Sequence, residues 1–235
     1  MSEGQLILAY HGCDITVRDR LVKGLLPRLT PSSNRYDWLG EGVYFFEGDA
    51  QRAMEFAEAA CLQSSKLLSA RPIVTPSVVG VILCIWRCWD MTTVGGRQDY
   101  LEAHEELRKV VSATGRAMPT NRPADALDEE TLIRGLDCAV FNMGHEMRER
   151  EGLGPVQLLR AAFYQGRPIL DGSEFRAGTH IQLALRDPQC VIGWFLPEGV
   201  GSALLSEAEL READAAMARA IRARTANKPR VRASP

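Results

Sequence analysis

Residues 179–188 read Thr-His-Ile-Gln-Leu-Ala-Leu-Arg-Asp-Pro. A strand sends successive side chains to opposite faces. Thr179, Ile181, Leu183 and Leu185 therefore share one face, and His180, Gln182 and Ala184 share the other. The apolar set is assigned to the core. His180 and Gln182 then face the opposite side, as a pair lining a cleft would. Asp187-Pro188 turns the chain, and Cys190–Leu196 reads as the next strand.

Working outward, Val156–Tyr164 and Pro168–Leu170 read as strand segments around Gln165-Gly166, followed by a polar loop, Gly172–Gly178. At the start of the chain, Gln5–Tyr10 is an apolar run of strand length ended by His11-Gly12. Asp14–Leu26 has the apolar spacing of one short helix, and Gly42–Phe46 is a second strand. Asp49 suits an N-cap. The helix after it runs to about Leu68, with Ala53, Phe56, Ala57, Ala60 and Cys61 on one face. Val78–Trp86 is nearly all apolar and is expected to be a central strand buried on both faces. Arg97–Ser112 reads as a helix, Gly115–Asp125 as loop, Leu136–Phe141 as a strand and Ser206–Arg224 as a helix. Strands cluster at both ends of the sequence without βαβ repetition. That pattern predicts an α+β domain over 1–200 with a long insertion at about 91–155, then a C-terminal helix and basic tail over 201–235.

The chain has 235 residues, 46% hydrophobic and 25% charged. Such a composition builds a core and excludes global disorder. The longest apolar run falls far short of the ~20 residues a spanning helix needs, and no secretory signal is visible at Met1-Ser2-Glu3-Gly4. A cytoplasmic protein without membrane attachment is the expectation. The net charge of −2 hides an asymmetry: residues 1–214 carry 22 bases and 30 acids, whereas the last 21 residues carry six bases and no acid. This tail could meet an acidic partner or nucleic acid. Cys84 and Cys88 form a C-x3-C pair with no second pair at metal spacing, so reduced, buried thiols are expected and no metal.

Three pieces carry chemistry: Leu8-Ala9-Tyr10-His11-Gly12; Gly40-Glu41-Gly42-Val43-Tyr44-Phe45-Phe46 before a helix; and the Gln182 strand with its turn and following strand. Together they resemble the ADP-ribosyltransferase superfamily, in the branch of the poly(ADP-ribose) polymerases and diphtheria-toxin-like enzymes. The resemblance covers roughly residues 1–65 and 156–197. It implies a split β-sheet core with flanking helices, and NAD as co-substrate without a metal. Residue by residue, it implies that His11 bonds a ribose hydroxyl or the adenosine side of NAD, and that the backbone of Gly12 pairs with the nicotinamide carboxamide. Tyr44 would stack on the nicotinamide ring, and Gln182 would bond the ribose 2′-hydroxyl through its amide oxygen. Gly42 brings the backbone close beside this site. Gln182 stands where the family usually has Glu. A neutral amide supplies no charge, and in the family that Glu is needed for chain lengthening, so transfer of a single ADP-ribose unit is expected.

Glu174, in the loop before the Gln182 strand, and His180 are candidates for the acceptor side. Trp38 is a candidate for the cleft wall, and Arg35 and Arg160 for the pyrophosphate. The acceptor is expected to be protein or nucleic acid. The role implied by analogy is a bacterial toxin of a toxin–antitoxin or phage-defence system, with an antitoxin or acidic partner at the basic tail. Alternatives on the same scaffold are RNA 2′-phosphotransfer, NAD hydrolysis, or an inactive module that binds NAD or ADP-ribose. A zinc protein using Cys84 and Cys88 is a further alternative.

Overall fold

The structure is a computed structural model. It describes residues 4–34, 37–62, 71–123 and 131–226. Arg35 lies outside the described residues, as do the end of the helix expected to reach Leu68 and the last nine residues of the tail. The elements are β1 (Gln5–Asp14), α1 (Ile15–Val22), β2 (Val43–Glu47), α2 (Ala50–Leu62), β3 (Pro76–Ile85), β4 (Cys88–Asp90), α3 (Val94–Thr114), β5 (Asn121–Arg122), β6 (Ile133–Arg134), α4 (Gly135–Arg150), β7 (Leu158–Phe163), β8 (His180–Leu185), β9 (Val191–Phe195) and α5 (Glu207–Ala226). The class is α+β, with a mixed seven-stranded sheet ordered β4-β7-β8-β2-β1-β3-β9 and a separate β5-β6 pair. No helix among the described residues is long and apolar enough to cross a membrane. The chain divides into two compact units, residues 1–9, 28–49 and 81–193 in the first and 10–27, 50–80 and 194–235 in the second.

In the first unit, β8 pairs antiparallel with β2 on one side and with β7 on the other. The short β4 adds to β7 in parallel. The core lies where α3 and α4 cover this sheet, with Trp89, Leu107, Val140, Phe141, Leu159 and Ala184 packed together. The Trp89 indole donates to the Gly96 carbonyl at 2.8 Å, which satisfies its one polar atom inside that core.

Residues 136–141 were expected to be a strand and instead open α4. Six apolar-rich residues are too few to separate a strand from a buried helix by period alone. The period appears only further on, where Cys138, Val140, Phe141, Met143 and Gly144 form one broad buried face. Pro168–Leu170 is also not a strand. It makes a single bridge, Pro168 to Arg176, across the loop that joins β7 to β8. β1 does not stop at His11-Gly12 but continues through them to Asp14.

In the second unit, Asp14 caps α1 by accepting from the Thr16 amide at 2.9 Å, and its other oxygen accepts from Val74 and Thr75 at 2.8 and 2.9 Å. Arg18 and Asp19 on α1 are both fully buried. Asp19 accepts from Arg18 Nε at 2.7 Å and from the Leu205 amide at 2.7 Å, while Arg18 donates to the Ser202 and Ala203 carbonyls at 2.9 and 3.0 Å. A buried charge pair is tolerated only when its remaining hydrogen bonds are satisfied, and here they fasten residues 202–205 onto α1. α5 starts from Ser206, whose hydroxyl and amide both bond Glu209, at 2.6 and 2.7 Å, in a reciprocal cap.

Gly12 lies against α2. A Cβ at this position would overlap the carbonyl oxygen of Ala53. Gly12→Ala is therefore expected to destabilise the protein by ~2 kcal/mol or more, read as a fall in the midpoint of denaturant unfolding. His145 on α4 gives a second expectation. Burial, and then the Arg186 and Arg148 charges, push it down to about 3. Its folded pKa lies below its unfolded value, so the unfolded chain binds the extra proton. The stability it contributes is full above pH ~6.5 and is lost as pH falls toward 3. Unfolding of His145→Gln should be less acid-sensitive over that window than unfolding of wild type.

Candidate functional site

The β2–β8 register sets the site. Tyr44 lies opposite Ala184 and Phe46 opposite Gln182. On the other flank of β8, Ala161 lies opposite Gln182 and Phe163 opposite His180. Directly opposed residues share a face. Tyr44, Phe46, Phe163, His180 and Gln182 therefore stand on one face of the β2–β8–β7 sheet. Glu47 and Arg160 stand on the reverse face, where Arg160 pairs with Glu47 at 2.6 Å and with Asp90 at 3.0 Å. This pairing holds the Arg160 guanidinium further above its usual range, with the Glu47 hydrogen bond as the largest cause. Arg160, a candidate for the pyrophosphate, is thus committed to a carboxylate cluster on the side away from Gln182.

Gln182 accepts a hydrogen bond from the Trp38 indole N–H. The expected partner for that oxygen was a ribose hydroxyl. A carbonyl oxygen keeps a second lone pair, and the Gln182 amide nitrogen has no hydrogen-bond partner among the described residues. Trp38 in turn packs edge-on against Phe163, ring centres 4.7 Å apart. The Arg134 guanidinium lies 5.2 Å from the centre of Trp38 and 4.6 Å from that of Phe163. The result is a cluster of two aromatic rings and a cation linked to Gln182 through the Trp38 indole. His180 continues it, stacked on Phe163 at 5.3 Å and tilted against Phe46 at 4.8 Å, with Nδ1 bonded to the Gly178 carbonyl at 2.8 Å.

Tyr44 holds this arrangement from beneath. Its hydroxyl donates to the Gly40 carbonyl at 2.8 Å and accepts from the Leu39 amide at 3.1 Å. Its ring packs against the core cluster that includes Leu39. Burial, followed by the nearby Asp37 carboxylate, raises its hydroxyl well above the ordinary range. Tyr44 therefore fixes the Leu39-Gly40 turn that follows Trp38. The other end of the loop is tied by Asp37, which accepts from Ser32 Oγ at 2.5 Å and from the Asn34 amide at 3.0 Å, and by the Ser32–Gly42 bridge. A Cβ on Gly42 would come within 3.0 Å of the Leu185 carbonyl. The close backbone approach expected at Gly42 is thus the approach of β8.

Of the remaining sequence candidates, His11 and Gly12 belong to the second unit, with Gly12 buried and His11 partly buried. Glu174 is exposed in the β7–β8 loop, and its carbonyl accepts from the Tyr164 hydroxyl. No three of His, Cys, Asp or Glu gather among the described residues in a way that could hold a metal ion. Arg134 and Phe163 escaped the sequence reading. Arg134 sits in a segment with no recognisable motif. Phe163 could have been found from its place two residues before a Gly-containing turn, paired across from the Gln182 strand. No protein-family model, no curated protein and no solved structure matches the chain.

The Trp38–Gln182 bond gives a direct test. Trp38→Phe and Gln182→Leu should each destabilise by about 1–2 kcal/mol, because each leaves a partner unsatisfied. The double variant should cost less than the sum by about 1 kcal/mol. Additive losses in urea unfolding would show that the two side chains do not bond.

Proposed function

We propose that the chain is an NAD-dependent mono-ADP-ribosyltransferase. It breaks the bond between nicotinamide and ribose and passes ADP-ribose to a macromolecular acceptor. One observation carries the reading. The register of β2 on β8 puts Tyr44 and Gln182 on a shared face, with Trp38 bonded to Gln182 and Phe163 and Arg134 packed on Trp38. The order of elements agrees with the resemblance: His11-Gly12 lies on β1, Tyr44 lies on β2 before α2, and Gln182 lies on β8 before a turn and β9. The finer architecture, a split sheet with a long central insertion, belongs to the same reading.

The chemistry asked of such a face is modest. Positive charge develops on the ribose as nicotinamide departs, so rate depends on gripping both halves and offsetting that charge. Flat aromatic rings and a guanidinium suit a nicotinamide or adenine ring. The Gln182 amide, oriented by Trp38, offers a donor and a spare lone pair to ribose hydroxyls. Tyr44 acts as a positioning residue through the Leu39-Gly40 turn, and Trp38 forms part of the binding wall. His11 enters by its motif alone, as a ribose or adenosine contact. Glu47, the carboxylate nearest Tyr44 along β2, is bound to Arg160 on the reverse face, so no acid on β2 replaces the missing Glu. Single-unit transfer follows. A toxin or phage-defence role in a bacterial cytoplasm, held in check by an antitoxin, is part of the proposal.

A second reading has one observation in its favour. With the Gln182 oxygen already engaged by Trp38, the same face could bind NAD or ADP-ribose without turnover.

The deciding experiment incubates adenine-labelled NAD with cell lysate and follows both label and free nicotinamide. The expected result is label on protein or nucleic acid without a polymer ladder, reduced at least ~100-fold in Gln182→Ala and His11→Ala. Nicotinamide release without label would make the protein a hydrolase. Tight NAD binding with neither product would favour the binding module. Equal labelling by His11→Ala and wild type would remove His11 from the site.

A further inference from the structure

Three arginines of the first unit, Arg87, Arg148 and Arg186, have no carboxylate within ion-pairing distance among the described residues. Main-chain carbonyls hold them instead. Arg87 Nε donates to Pro155 at 2.7 Å, Arg148 Nη2 to Gly154 at 3.0 Å, and Arg186 Nη1 to Glu41 at 3.3 Å. The first two carbonyls are consecutive, and the Arg87 guanidinium covers Gly154 so closely that a Cβ there would lie 3.2 Å from its central carbon.

Gln157, nearly fully buried, joins the segments that carry Arg87 and Arg186. Its side-chain oxygen accepts from the Trp86 and Arg87 amides at 2.9 and 3.1 Å. Its own carbonyl accepts from the Arg186 amide at 2.9 Å. Of the nearby acids, Asp187 is occupied by Gln157 Nε2 at 3.2 Å and the Gln189 amide at 3.0 Å, and the exposed Glu41 carboxylate acts on Arg186 without closing an ion pair. Arg148 and Arg186 are both close enough to His145 to disfavour its charge, and the buried Nε atoms of Arg148 and His145 have no hydrogen-bond partner. The positive charge of the cluster therefore belongs to the arginines. Trp86, the chain neighbour of Arg87, leaves about half of its surface, 53%, in solvent, and its ring lies close to Gly4.

Guanidinium groups free of carboxylates match the geometry of phosphate. An exposed indole one residue along the chain from such a group can stack an unpaired base. A duplex hides the faces of its bases, and a lone phosphate makes no use of the indole. We propose that Trp86, Arg87, Arg148 and Arg186 form a binding face for single-stranded nucleic acid, with the arginines on phosphates and Trp86 under a base. The proposal stands on these four residues and does not depend on the transferase reading.

The test measures fluorescence anisotropy of a labelled single strand of about 12 nucleotides, as RNA and as DNA, against the full chain over a range of salt. Wild type should bind both at low salt. Combined Arg87→Gln, Arg148→Gln and Arg186→Gln should weaken binding at least tenfold and reduce the salt slope by about 2, since each phosphate contact on a single strand contributes ~0.7. Trp86→Ala should weaken binding about tenfold and leave the slope unchanged. Arg87→Glu alone, at an exposed position, should weaken binding more than Arg87→Gln and serves if the triple variant does not fold. Three results would overturn the proposal. One is no binding by wild type at low salt. Another is full binding by the variants, with removal of residues 215–235 abolishing it. The third is equal affinity for a duplex of the same length, indifferent to Trp86→Ala.

Discussion

The pairing of β2 with β8 is the constraint from which the candidate site follows. Four residue pairs, Val43 with Leu185 through Phe46 with Gln182, are held in one antiparallel register. A slip by one residue would turn every side chain of β2 to the opposite face. Glu47 would then join Gln182, and Tyr44 would leave the turn that it holds. Two features resist such a slip. The fully buried Phe45 and Leu183 lie directly opposite one another. Gly42, just before β2, sits so close to Leu185 that a bulkier residue would need backbone movement there.

From that register the site is assembled by short-range bonds. Tyr44 ties down Leu39 and Gly40, Asp37 ties the loop at Ser32 and Asn34, and Trp38 is left pointing its indole at Gln182. The tyrosine assigned by resemblance to stacking on a ligand is thereby committed to the protein's own turn, and Trp38 is the aromatic that meets Gln182. The second unit relies on a different device. A fully buried Arg18–Asp19 pair fastens the chain ahead of α5 through three main-chain groups.

Much of this was legible in the sequence, because the relevant signals are local. The alternation in 179–185 gives both β8 and the shared face of His180 and Gln182, and the i, i+3, i+4 spacing after Asp49 gives α2. Residues 136–141 read as a strand because their helical period is completed only by Met143 and Gly144, outside the apolar run. The full extent of β1 is hidden because His11-Gly12 reads as a strand end, whereas Gly12 makes room for the backbone of α2. The Arg134–Trp38–Phe163 cluster was invisible for another reason. It joins residues from three distant segments, and no spacing rule connects them. Arg18–Asp19 was equally hidden, since two adjacent charged residues on a helix ordinarily face solvent.

The central claim is that the face around Gln182 receives NAD. The most direct measurement follows the Trp38 indole N–H and Gln182 side-chain amide signals by nitrogen-15 NMR during NAD titration, with Trp38→Phe and Gln182→Leu spectra for assignment. The account predicts that both signals shift together and saturate with one affinity. If NAD saturates the protein while both signals stay in place, or if NAD does not bind, the claim is contradicted.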